Sequence, residues 1–106
     1  MPATESSFKK VQTGETHGQW SVNATEHNLV LEDAISATFR LVHRDTGRVV
    51  VDDASADILP GGVIEYTRLP ADVLVSGRYL AQFTVQHSNG STSKSQRISV
   101  TIEPSI

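Results

Sequence analysis

The sequence predicts an all-β domain, an antiparallel sandwich of about seven or eight short strands. Three observations carry this reading. Apolar and polar residues alternate at period two in several runs, which places successive side chains on opposite faces of a strand. Turn-forming residues separate the runs at intervals of roughly 8–12 residues, the spacing of a sandwich or barrel. Helical periodicity is confined to one segment too short to form a stable helix by itself.

Phe8 to Gln12 and Trp20 to Ala24 read as two early strands. The first long run is Ile35 to His43, with Ile35, Ala37, Phe39 and Leu41 on the inward face and Ser36, Thr38 and Arg40 on the other. Arg44-Asp45-Thr46-Gly47 then makes a turn in which Gly47 is free to take positive φ. Arg48 to Asp52 holds three consecutive valines, as suits a strand covered on both sides or at its edge. Asp52, Asp53 and Asp57 read as a solvated acidic loop after it, without the ligand spacing of a calcium site. Pro60-Gly61-Gly62 breaks the chain before Val63 to Arg68, where Ile64 and Tyr66 share a face. Leu69 to Val75 predicts a single helical turn crossing the end of the sandwich. In Arg78 to Gln86, residues Tyr79, Ala81, Phe83 and Val85 point one way. Ser88-Asn89-Gly90 supplies the strongest short-range hairpin signal, and the last strand turns Ile98, Val100 and Ile102 inward. The organisation expected is a loose segment at 1–7, one domain over 8–103 and a tail at 104–106.

Ser76-Gly77-Arg78-Tyr79 partly matches a motif of immunoglobulin-like sandwiches. A glycine two residues before a tyrosine at the start of a strand is the pattern of the tyrosine corner, whose hydroxyl bonds a backbone group upstream. Val75 stands where that motif usually has an aspartate.

Composition narrows the function. A chain of 106 residues suits one domain with one core. It has no cysteine, which excludes disulfides, a thiolate zinc site and a cysteine nucleophile. The net charge is −3, and the only adjacent basic pair is Lys9-Lys10, so the basic stripe of a nucleic-acid binder is missing. No run approaches the roughly 18 apolar residues of a membrane span. The opening MPATESSFKK has no apolar signal region, so the expectation is a protein made and kept in solution. Asn23-Ala24-Thr25 and Asn89-Gly90-Ser91 are sequons that arise readily by chance.

Nothing converges as catalysis requires. His17, His27, His43 and His87 show no metal-binding spacing and read as loop or rim histidines. There is no G-x-S-x-G elbow, and Gly61-Gly62 lacks the lysine of a phosphate loop. The expectation is a protein that is not an enzyme and needs no cofactor or metal. Trp20, the sole tryptophan, reads as a core residue or an interface anchor. Leu80, on the outward side of its strand, joins Val42 and Val50 of the valine strand as a candidate interface patch, with Trp20 as a fourth member.

From Thr13 to Ile102 the chain resembles the N-terminal immunoglobulin-like domain of phage baseplate upper proteins. The likeness lies in Thr13-Gly14-Glu15-Thr16, in Leu31 to Leu41, in Arg44 to Asp52, in Gly62 to Tyr66 and in Ser76 to Phe83, in that order. Gln82 and Ser76 depart from the glutamate and proline of the family pattern. The resemblance implies a structural protein of a phage tail or baseplate, assembled in the host cytoplasm and resident in the virion. Its partners would be other tail or baseplate proteins, with a homo-oligomer possible and no nucleic acid or membrane involved. The other reading of the residues is an immunoglobulin- or fibronectin-like module of a bacterial surface protein that recognises protein or carbohydrate.

Overall fold

The computed structural model describes residues 6–7, 11–12, 18–27, 29–69, 72 and 75–104. Its strands are β1 (Ser6–Ser7), β2 (Val11–Gln12), β3 (Gln19–Asn23), β4 (Ala34–His43), β5 (Val49–Leu59), β6 (Val63–Thr67), β7 (Gly77–His87), β8 (Thr92–Lys94) and β9 (Ile98–Glu103). Together they form an immunoglobulin-like antiparallel sandwich. One sheet runs β9-β7-β4-β5, with the short β1 and β2 laid parallel along β9 and β8 paired to the far end of β7. The other runs β5-β6-β3. Ser6–Ser7, expected in a loose segment, are thus paired with Ile98 and Ser99. Phe8 to Lys10, Thr13 to His17 and most of the expected helical turn lie outside the described residues.

β5 belongs to both sheets. Residues up to Ala56 pair with β4, and Asp57 to Leu59 pair with β6. Two irregularities let it cross. From the pair Val42↔Val49 to Leu41↔Val51, β5 advances two residues against one on β4; from there to Phe39↔Ala54 it advances three against two. Each extra residue bends the strand and adds twist. Asp53 holds φ 52, a left-handed conformation that aspartate tolerates better than most residues. The acidic loop expected at Asp52, Asp53 and Asp57 is therefore strand, and Arg40 of β4 reaches back to Asp52 at 2.9 Å.

The core lies between the sheets. Phe39 and Phe83 are fully buried cross-strand partners with ring centroids 4.9 Å apart. Across the sandwich, Tyr66 stacks on Phe39 at 4.4 Å and Trp20 stacks on Phe39 at 5.5 Å. Trp20 is 2% exposed, which corrects its place among the interface candidates. Its position on β3 opposite Tyr66 turns the indole into the core, with the Arg68 guanidinium 5.2 Å from the ring centroid.

The inward parity of β4 holds for Ala37, Phe39 and Leu41 but fails at Ile35, which is 65% exposed. The register slips between Ala34↔His87 and Ser36↔Gln86, so Ile35 is the bulged residue and turns outward.

Candidate functional site

One end of the sandwich carries a cavity of about 170 Å³, open to solvent. It lies where β4 ends, β5 begins and β7 begins. Its apolar walls are Val50, Val75 and the Tyr79 ring; His43, Thr46, Arg48 and Asp72 supply its polar lining.

Each wall has a local cause. The inward parity of β4 continues past Leu41 to His43, which lies opposite Tyr79 in the register. The His43 ring meets the Tyr79 ring edge-on at 4.9 Å and packs over Gly77. A Cβ at residue 77 would come within 2.7 Å of His43 Nε2 and displace that ring, and φ there is +143, a conformation that favours glycine. The turn after β4 closes through Gly47 N–H donating to the His43 carbonyl at 2.8 Å. Thr46 Oγ1 accepts from the Arg48 amide at 3.2 Å and lies 3.0 Å from His43 Nδ1, which holds the imidazole in place.

The tyrosine corner is present. The Tyr79 hydroxyl donates to the Val75 carbonyl at 2.6 Å. Burial pushes this hydroxyl above its ordinary range, and the positive charge of Arg48 works in the opposite direction. Nearby, the Tyr66 hydroxyl donates to Asp72 Oδ2 at 2.6 Å, and the Leu69 amide donates to the same oxygen at 2.8 Å. Burial, the hydrogen bond to Asp72 and its negative charge all raise the Tyr66 pKa far above the normal phenol value. Asp72 thereby fastens the connection between β6 and β7 to the core. No spacing in the sequence announces its place in the lining of this cavity. His43 was legible in principle, because strand parity alone turns it inward.

The opposite end holds a larger, shallower cleft of about 400 Å³, lined by Val30, Glu32, Asp33, His87, Asn89, Ser91 and Ser93. Much of its polar lining is committed to the fold. His87, expected at the rim, is only 6% exposed. Its Nδ1 lies 2.8 Å from the Glu32 carbonyl, which can only accept, so Nδ1 carries the proton. Nε2 lies 2.8 Å from the Ser93 hydroxyl, which bonds it as donor or acceptor. Asn89 Oδ1 accepts from the amide and hydroxyl of Ser91, closing the predicted hairpin turn. Among the described residues, no three His, Asp or Glu side chains converge as a metal site would need. No described helix is long and apolar enough to cross a membrane, which says nothing of a β-barrel.

The remaining interface candidates divide. Val42 and Leu80 are direct cross-strand partners, half-buried on the outer face of the larger sheet. The valine beside them is Val49, which pairs with Val42. Val50 is the extra residue of the first bulge; it packs against the core and lines the end cavity instead.

No family model matches the chain, and no curated protein matches it. Among solved structures, its fold is similar to that of CopC from Methylosinus trichosporium OB3b, with a TM-score of 0.53 and 14% identity over 97% of this chain and 88% of that one. The likeness is one of fold, and it corrects the functional expectation. The finding that overturns it is this likeness to CopC over nearly the whole chain, while none of the comparisons returns a phage tail or baseplate protein. The tail or baseplate function and the virion localisation are therefore set aside, and the surface module recognising protein or carbohydrate is not favoured either. The physical reason lies in the shared motifs. The Arg44–Gly47 turn and the Gly77–Tyr79 corner are what this fold needs to close one end, whatever it does.

Proposed function

We propose that the chain is a non-enzymatic binding domain that takes up a small molecule in the end cavity between His43 and Tyr79. The observation that carries this reading is the cavity itself: about 170 Å³, walled by Val50, Val75 and the Tyr79 ring, with a few polar groups in its lining. An apolar cavity of about 150 Å³ suffices to take up one benzene ring, so a single-ring molecule is the right size. A mostly apolar pocket with a few placed polar groups is the usual form of a small-molecule site. Binding without catalysis fits the neighbouring groups. The hydroxyls of Tyr66 and Tyr79 and the Asp72 carboxylate are all engaged in bonds that hold the fold.

The test is a titration of the ¹⁵N-labelled protein with benzyl alcohol, followed by amide chemical shifts. The expected result is saturable shifts confined to residues 43–50 and 75–79. Shifts centred on Glu32, His87 and Ser93, or no saturable shifts at all, would overturn the reading.

A further inference from the structure

We infer that the cavity selects a small organic anion, a carboxylate on an apolar single-ring body, and that Arg48 is the residue that selects it. The inference rests on the end cavity being the binding site and adds the chemistry of its ligand.

Hydrogen-bond accounting around the cavity leads there. The Tyr79 hydroxyl is committed to the Val75 carbonyl. Thr46 Oγ1 is occupied by the Arg48 amide and by His43 Nδ1. Asp72, the carboxylate of the lining, has Oδ2 occupied by the Tyr66 hydroxyl and the Leu69 amide. Two groups remain. Among the described residues, the Arg48 guanidinium makes no ion pair or hydrogen bond, and His43 Nε2 has no hydrogen-bond partner. The guanidinium offers donors only, whereas His43 Nε2 can donate or accept according to the tautomer, since the Thr46 hydroxyl at Nδ1 can do either. The uncommitted donors and the positive charge of the lining thus lie on Arg48. The complementary ligand brings acceptors and negative charge, and a carboxylate matches the planar fork of a guanidinium. The walls of Val50, Val75 and Tyr79 ask for an apolar body behind it.

Asp72 opposes this choice, since its charge disfavours an anion and would attract an ammonium group. Its two bonded donors already satisfy part of that charge, whereas no described group offsets Arg48. The balance therefore falls to the anion.

The experiment measures the affinities of benzoate, benzyl alcohol and benzylamine for the intact chain by the same amide-shift titration. All three share one ring and differ in the charge of the head group. Benzoate should bind about tenfold more tightly than benzyl alcohol, and Arg48→Gln should close most of that gap. The exposed Arg48 side chain, which has no partner among the described residues, can be replaced without disturbing the core, which unchanged Trp20 fluorescence would verify. Equal binding of benzoate and benzyl alcohol, or a gap that survives Arg48→Gln, overturns the inference and leaves the cavity reading intact. Tightest binding of benzylamine also overturns it and makes Asp72 the selecting group. Binding of none of the three overturns the cavity reading together with the inference.

Discussion

Tyr79→Phe isolates the tyrosine corner more cleanly than any other single substitution in the domain. It removes one hydroxyl and keeps the ring, so the edge-on contact with His43 at 4.9 Å and the burial of the side chain persist. What is lost is the 2.6 Å hydrogen bond to the Val75 carbonyl. A typical intramolecular hydrogen bond contributes a net of about 0.5–1.5 kcal/mol, and stranding a buried partner costs about 1–3 kcal/mol. Val75 decides where in that range the change falls. It is 53% exposed, so water can reach its neighbourhood and replace part of the lost bond. The expected cost is about 1–2 kcal/mol, or a fall in Tm of roughly 4–8 °C per kcal/mol for a domain of this size. Urea unfolding followed by the fluorescence of Trp20 measures it, because the sole tryptophan stacks on Phe39 in the core. The midpoint should drop with the slope unchanged. An unmoved midpoint would mean that the hydroxyl does not brace the connection before β7. A changed slope would mean that the substitution disturbs more than one bond.

Phe39→Ala should cost about 3–5 kcal/mol, because Phe39 is fully buried among Trp20, Tyr66 and Phe83; a loss below about 1 kcal/mol by urea titration would refute the core register. Tyr66 gives a pH dependence. Its pKa is raised above the ordinary 10.0, so its contribution is fully present below that value and is lost as pH rises above it. Urea midpoints should therefore fall more steeply above about pH 10 in the parent than in Tyr66→Phe, and parallel profiles would refute the coupling to Asp72. Asp53→Val should destabilise by about 1–2 kcal/mol, since a β-branched residue resists the left-handed conformation at φ 52. Asp53→Asn should be near neutral, because the exposed 3.9 Å approach to Arg40 contributes little. Equal stability of the valine and asparagine variants would show that the bulge does not depend on that conformation.

Strand parity was legible wherever the ladder is regular. Phe39, Leu41, Tyr79, Phe83, Val100 and Ile102 all face the core as their period-two pattern requires. The misreadings fall at bulges. A bulge inserts a residue without leaving a local mark, so Ile35 turned outward and Val50 turned toward the cavity against the pattern. The acidic run after Val51 looked like a loop because aspartate is depleted in strands, yet the crossing between sheets needs residues that accept irregular backbone. His87 was hidden for another reason. Its burial depends on Glu32, more than fifty residues away in the chain, and no local pattern encodes such a contact.

The same distinction separates fold from function at the end cavity. Gly47, Gly77 and Tyr79 are dictated by backbone geometry: each closes a turn, admits a neighbouring ring or braces a connection. A sequence pattern built on such residues reports the sandwich and does not by itself report a function. Arg48 is different. Its amide is bonded to Thr46, but its charged head serves no contact among the described residues. An exposed arginine beside an apolar cavity, with no partner among the described residues, is a residue to which those contacts assign no structural task. That is where a function distinct from the architecture has room to reside, and it is the side chain whose removal should change binding while leaving stability as it was.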